Sequence, residues 1–440
     1  MASSSSSSSS PSSSTSRRPL SGVFAIDKPS GPTSMALLEQ LKPLFASSAL
    51  FLNSDGSLPE NRKPSKKDRR GRGGGGKWSR NAGRKGDPLP PKIGQGGTLD
   101  PLASGVLVIG VGDGTKKLQS YLDGAKEYLT VGLLGTSTTS YDALDPILYR
   151  APHTHVSADT LAEQLPKFRG SILQAPPLYS AIRIDGMRLF EYARQGKELP
   201  RPIEKRKVEI KNLKLNAWYP SGSHSWKEPA NEVPEEEKAL VGKVRQLAGE
   251  VSAEAEPSKP DTVDDAPKAT DEAPKATDGT DQSDPAAFGL TMSVGGGTYV
   301  RSIVHDLAQQ AQSAAHVVAL RRTRQGQWHT DRRLRARSSE VATDDWAEKE
   351  ELIDVGPEDD DKSDLELVKG NCISWSVFER AIQKMHEGEG ETKDGEEQPE
   401  EEGGPATKKR KVEDGSVSAE ATQDGLQEWE RILLEHIEAC

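Results

Sequence analysis

The most chemically suggestive residue in this 440-residue chain is an aspartate set among glycines and a proline. Asp100 stands in GQGGTLDPLASGVLVIGVGDGTKKL, residues 94–118, just ahead of the apolar run Val106–Val111. That context puts an acid on a tight loop at a sheet edge, where a carboxylate can act as nucleophile or base. Asp-Pro beside glycines is equally ordinary turn chemistry, so the motif needs partners. The glycines would let a nucleic-acid backbone approach closely, and Thr115, Lys116 and Lys117 could bring a helix start and two cations to phosphate. A solvated lysine pair is the plain alternative. A second motif, GGGTYVRSIVHDL (295–307), sets Tyr299 and Arg301 at a strand-to-helix junction. A cation at a helix start opposes the macrodipole, so Arg301 is expected to meet an anion there, either a phosphate or a carboxylate such as Asp100. An exposed arginine with no partner is the alternative. A third, PPLYSAIRIDGMRLFEYARQG (176–196), mixes aromatic and basic residues as RNA-contacting surfaces do, and as core aromatics beside solvated arginines also do.

The elements that must position these residues follow from periodicity. Gly22 to Ile26 is a strand, Asp27 to Thr33 a Pro and Gly turn, and Ser34 the expected cap of a helix with Leu37, Leu38, Leu41 and Phe45 on one stripe. Leu129, Val131 and Leu133 alternate with Tyr128, Thr130 and Gly132, which predicts a half-buried strand with Tyr128 turned from its apolar face. Leu290, Met292 and Val294 form a strand before the glycines, and Val300, Ile303, Val304 and Leu307 have helical spacing. Strands and helices are mixed, so the expected class is α/β or α+β.

Only 33% of the chain is hydrophobic, with 29 prolines and 41 glycines, so much of it is not core. The formal charge of -10 is unevenly spread. Residues 1–20 read as a Ser-rich disordered tail. A catalytic domain is expected over 21–345, interrupted by a basic insertion at about 48–90 and an acidic low-complexity one at about 221–286, where APKATD occurs twice. Residues 62–85 carry eleven Lys or Arg against one acid, Asp68. Residues 346–440 are expected to form a C-terminal appendage with an acidic linker and the basic run Lys408, Lys409, Arg410, Lys411. Cys372 and Cys440 cannot build a disulfide framework or a four-thiolate zinc site, and no metal-spaced cluster stands out. No apolar run approaches a membrane span, and no secretory h-region is seen at the N-terminus, so a soluble intracellular protein is expected.

Together the three blocks 21–45, 92–219 and 287–335 resemble the TruB family of tRNA pseudouridine synthases. The resemblance implies a pseudouridine synthase fold, a mixed and mainly antiparallel sheet flanked by helices. It implies isomerisation of a T-loop uridine of tRNA, position 55, by base flipping and without a cofactor. GGTLDPLASGVL looks like the family's catalytic loop, making Asp100 the catalytic aspartate; KEYLTVGLLG puts Tyr128, and GTYVRSI puts Tyr299 and Arg301, at its substrate pocket. DKPSGPTS, with Lys28 and Pro29, resembles the motif packed behind that loop. Asp142 in TTSYDA, Tyr179 and the Arg321–Arg322 pair complete the pattern. Gln95 stands where many relatives have a histidine that helps fill the vacated base site; its amide still donates and accepts hydrogen bonds.

No PUA domain is recognisable after Arg335. Two rival readings follow, a non-catalytic RNA-binding or RNA-folding protein on the same scaffold, and a guide-RNA-dependent synthase of the dyskerin branch. The first is disfavoured by Asp100, Tyr128 and Arg301 occurring together, the second by the missing PUA domain. Expected partners are the tRNA T-arm and, secondarily, mRNA hairpins that mimic it, with a monomer acting alone and no membrane. The Lys408–Lys411 run suggests a nuclear location; the acid-free N-terminus with Arg17 and Arg18 leaves a mitochondrial one as secondary.

Overall fold

The computed structural model describes residues 18–59, 89–175, 183–188, 191–192, 205–234, 238, 284–330, 332–335, 365–390 and 425–440. The basic stretch 62–85, the APKATD repeats, Tyr179 and the Lys408–Lys411 run lie outside them.

In chain order, β1 (Gly22–Lys28) leads to α1 (Ser34–Ser47), then β2 (Ile93–Gln95), β3 (Ser104–Val111) and α2 (Leu118–Asp123). Next come β4 (Lys126–Leu134), β5 (Thr136–Thr138), β6 (Ile147–Arg150), α3 (Ala158–Gln164) and β7 (Gly170–Gln174). The small hairpin β8 (Arg183–Ile184) and β9 (Met187–Arg188) precedes β10 (Arg206–Tyr219), β11 (Ala287–Val294), α4 (Val300–Gln310), β12 (Ala315–Gln325) and β13 (Trp328–His329). The chain closes with β14 (Arg332–Arg335) paired to β15 (Leu365–Val368), then β16 (Ile373–Ser374), α5 (Trp375–Gly390), α6 (Glu428–His436) and β17 (Glu438–Ala439). The main sheet runs β16-β1-β3-β12-β4-β11-β10-β7 and is antiparallel except at β1/β16 and β3/β12. This is the mixed, mainly antiparallel α/β architecture expected.

Both faces of the sheet centre are covered, and this corrects the reading of Tyr128. Val131 and Leu133 pack into a small cluster with Ala287, whereas Tyr128 is 8% exposed and joins the larger core with Leu134, Val300 and Val304. An alternating pattern identifies two faces but not which one carries the greater core. Tyr128 does turn from the Leu129 face; it turns into the main core and not toward solvent.

Helix α1 buries Leu37, Leu38, Leu41 and Phe45 as its stripe predicts. Its cap is Thr33, whose hydroxyl accepts from Ala36 N at 3.0 Å, and not Ser34. Ser34 is buried one position inside and bonds the loop before Asp100. Segments outside the three blocks also join the fold. Leu50 and Phe51, assigned to the basic insertion, are 1% exposed, and Phe51 stacks on Phe45 at 4.7 Å. Residues 221–234, assigned to the acidic insertion, reach β6: Ile147 N donates to Asn231 O, Val233 N to Ile147 O, and Arg150 pairs with Glu232 at 2.8 Å. The described C-terminal segments pack against the core. β16 and β17 both pair with β1, and Phe378, Trp429 and Leu433 enter the main core, with Trp429 stacked on Phe45 at 5.5 Å. Each such fully buried side chain contributes about 1.5–3 kcal/mol. The chain returns after hundreds of residues to complete the core around β1 and α1.

Gly105 is where that loop enters β3. Its φ is +99°, and a Cβ there would lie 2.2 Å from the Arg322 carbonyl oxygen of β12. Both backbone strain and a backbone clash oppose any side chain. Gly105→Ala should therefore destabilise the fold by about 3 kcal/mol or more, measured as a lower denaturation midpoint in urea.

Candidate active site

The loop bearing Asp100 is held from behind by the DKPSGPTS segment, and the bonds are to backbone. Lys28 Nζ donates to Ala103 O at 2.6 Å, Pro29 O at 2.9 Å and Pro101 O at 3.4 Å. Ser30 Oγ donates to Leu102 O at 2.7 Å, and Gly31 N to Pro101 O at 2.8 Å. Ser34 Oγ donates to Leu99 O at 3.0 Å and accepts from Leu99 N at 2.9 Å. The backbone of Leu99, Pro101, Leu102 and Ala103 is thus tied down, and the carboxylate of Asp100 takes no part in the tying. The loop presents a 37%-exposed carboxyl at its tip on a hydrogen-bonded backbone.

Lys28 is wholly buried, and burial lowers its pKa to about 8 although Asp100 pulls it the other way; Arg322 adds to the lowering. Below pH 8 the folded chain must bury an ammonium. Between about 8 and 10.5 the unfolded chain keeps a proton that the folded chain has released, so the contribution of Lys28 to stability rises with pH across that window. The stability difference between wild type and Lys28→Met should accordingly move in favour of wild type between pH 7 and pH 9.5. Urea titrations of both proteins at the two pH values measure it; a shift of opposite sign would refute the assignment.

Opposite the loop, α4 begins with Tyr299 as its N-cap residue, without a side-chain capping bond. The Gln174 amide fixes this junction, accepting from Tyr299 N at 2.8 Å and donating to Tyr299 O at 3.0 Å. Arg301 follows in the first turn, where a cation is disfavoured by the helix dipole. The cause is visible in its partners. Its Nε lies 2.9 Å from Asp100 Oδ2, and its Nη1 donates to Ser140 O at 2.6 Å and faces Asp142 Oδ2 at 3.4 Å. The guanidinium is 7% exposed and Asp142 6%, so this part of the network is dry. Burial raises the Asp142 pKa, and Arg301 and the Leu144 N–H work against that rise.

The remaining candidates are placed as follows. Pro29 sits in the loop-backing segment. Tyr128 lies on β4 between Met292 of β11 and Arg322 of β12. Gln95, on β2, turns its amide to Thr98 Oγ1 at 3.2 Å, and its own Oε1 is buried without a hydrogen-bond partner. Behind it the Gln325 amide donates to Gly96 O at 2.6 Å and Tyr121 O at 2.9 Å, anchoring the glycine loop to β12. Lys116 pairs with Asp113 at 2.7 Å and Lys117 lies 3.8 Å from Glu438, both at the exposed surface. Thr115 donates to Gly112 O at 2.8 Å within a 3-10 turn. Those three belong to local surface structure. Sequence reasoning missed Gln174, Ser140 and Gln325, whose roles are backbone contacts across 125, 161 and 229 residues and leave no local signal. Among the described residues, no group of three or more His, Cys, Asp or Glu could hold a metal ion, and no helix is long and apolar enough to cross a membrane.

Residues 86–227 match the model of the TruB family pseudouridylate synthase N-terminal domain. The chain is 37% identical over 358 residues to tRNA pseudouridine synthase 4 of Schizosaccharomyces pombe, covering 74% of this chain and 84% of that protein. It belongs to the TruB family. The similarly named protein of Saccharomyces cerevisiae is 34% identical over 325 residues, covering 71% of this chain and 79% of its own length. Pseudouridylate synthase TRUB1 of Mus musculus is 31% identical over 307 residues, covering 70% and 63%. Within the TruB family frame, the Asp100 loop and the start of α4 are the two motifs that converge, and the Arg301–Asp100 contact is where they meet.

Proposed function

We propose that this TruB-family chain isomerises uridine to pseudouridine in tRNA, with Asp100 as the catalytic carboxylate and the T-loop uridine as its target. The observation that carries the reading is the Arg301–Asp100 contact at 2.9 Å, a carboxyl presented to a guanidinium on a stapled loop. The names of the fungal relatives support tRNA as the substrate.

The reaction breaks the bond from C1′ to N1, turns the base and joins C1′ to C5; the C5 proton leaves and N1 gains one. Atoms and electrons balance without an oxidant or reductant, so no cofactor is called for. An ionised carboxylate can attack the ribose or base, or withdraw a proton from the sugar, and each route needs the same charge in the same place. Arg301 supplies the geometry by holding Oδ2 with a charge-assisted hydrogen bond at 2.9 Å. The dry Asp142 and Ser140 carbonyl behind it keep the guanidinium from swinging away. Tyr299, half-buried at the start of α4, provides ring surface for an extruded base, and Gln95, with a spare acceptor beside Thr98, provides polar contact at the glycine loop. Base extrusion costs a few kcal/mol, which phosphate contacts on the basic surfaces offset.

The chain acts as a monomer on the T-arm, with mRNA hairpins of the same shape as secondary substrates. The Lys408–Lys411 run supports a nuclear location, with the acid-free N-terminus supporting a mitochondrial pool; a fluorescent fusion with that run changed to alanines tests it by loss of nuclear signal. The function itself is tested by incubating purified protein with unmodified tRNA transcript, without guide RNA or partner protein, and mapping pseudouridine at single-nucleotide resolution. Conversion at the T-loop uridine is expected. Conversion only when a guide RNA and partner proteins are supplied would replace the stand-alone reading with the guide-dependent one.

A further inference from the structure

Tyr141 is a bulky residue with a φ of +64°, in the left-handed region that glycine and asparagine ordinarily occupy. It stands between Ser140, whose carbonyl accepts from Arg301, and Asp142, whose carboxylate faces the same Nη1. A left-handed residue at this point turns the chain so that a carbonyl on one side and a side chain on the other reach one guanidinium nitrogen. The surrounding structure enforces the conformation. Tyr141 N donates to Thr138 O at 3.3 Å, Val317 N of β12 donates to Tyr141 O at 2.9 Å, and Ala143 N donates to Val317 O at 2.9 Å. The Tyr141 ring is 4% exposed and lies flat on the imidazole of His305, with centroids 3.9 Å apart and planes 12° apart. His305 is 2% exposed, stands one helical turn after Arg301 on α4, and has its Nδ1 3.3 Å from Ser137 Oγ. Tyr149 meets the same imidazole edge-on at 6.4 Å.

The same two elements therefore touch twice, once through Arg301 and once through the ring stack. We propose that the Tyr141–His305 stack is a positioning device that sets the distance between α4 and the 138–142 turn, and so holds Arg301 at Asp100. It rests on the catalytic reading above. Neither ring reaches the reacting atoms; both act through the guanidinium, and tenths of an ångström there are transmitted to the carboxylate. The turn would otherwise accept glycine without strain, so a strained aromatic residue at this position is explained by its ring.

Tyr141→Gly removes the ring and relieves the backbone, while Tyr141→Phe keeps the stack. On unmodified tRNA transcript, the glycine variant should lose about 10- to 100-fold in single-turnover rate with tRNA affinity within about two-fold of wild type, and the phenylalanine variant should retain the wild-type rate. Ser137→Ala, which removes the hydroxyl beside the His305 Nδ1 without touching either ring, should fall between them and serves if the glycine variant fails to fold. A second readout needs no turnover: the Arg301 side-chain Nε–H resonance, assigned with Arg301→Lys, should be protected from exchange in wild type and Tyr141→Phe and lose that protection in Tyr141→Gly. An unchanged resonance in the glycine variant, or a rate equal to wild type, would overturn the proposal. An inactive wild type with the resonance behaving as expected would instead count against the catalytic reading and leave the positioning role standing.

Discussion

Asp100→Asn is expected to lower conversion of the tRNA uridine by about 10³-fold or more while leaving tRNA affinity and folding close to wild type. The amide is the same size as the carboxylate, and its oxygen can still accept from Arg301 Nε. The staples from Lys28, Ser30, Gly31 and Ser34 reach backbone atoms of Leu99 to Ala103 and do not involve the side chain. What is removed is only the charge that attacks or accepts a proton. Single-turnover kinetics and a filter-binding isotherm on one preparation separate the two effects. A variant within ten-fold of wild-type rate would take Asp100 out of the chemistry.

Arg301→Gln should damage both function and stability, and the two losses should separate in a double variant. Removing the guanidinium leaves Asp142, 6% exposed and already pushed toward protonation by burial, without its cation. Breaking one side of a buried pair costs about 3–5 kcal/mol. The Ser140 carbonyl also loses its donor. Adding Asp142→Asn to Arg301→Gln removes the stranded charge, so most of the stability should return. Activity should not, because Asp100 still lacks the partner that holds Oδ2. Urea midpoints and initial rates for the two singles and the double close the cycle; full recovery of rate in the double would show that Arg301 acts only through stability.

The parts of the site that could be read from residue order are those whose oddity is local. Asp100 announces itself through the turn chemistry around it, and Arg301 through a positive charge at the wrong end of a helix, which is relieved by the two carboxylates it meets. Strand and helix periods placed β1, β4, β11 and α4 because each has a fully apolar stripe. What could not be read depends on contacts distant in the chain. Ser34 resembles a cap, but Thr33 takes that place because Ser34 is needed by Leu99, 65 residues away. Tyr128 faces the larger core because α4 covers that side. Trp429 and Phe378 sit in short segments between charged stretches, and only their meeting with Phe45 and Phe24 makes them core. The left-handed Tyr141 has no signature in residue type at all, since nothing in the string TTSYDA forbids an ordinary turn.

The central claim, that this chain alone uses Asp100 to move a uridine from N1 to C5 attachment, is tested most directly by tritium release. When C1′ joins C5, the hydrogen on C5 must leave for solvent. A tRNA transcript carrying uridine tritiated at C5, incubated with purified protein and no cofactor, should release one equivalent of tritium from the T-loop site, and none with Asp100→Asn. No release by the wild-type protein from a transcript it binds, or equal release by both proteins, would contradict the account.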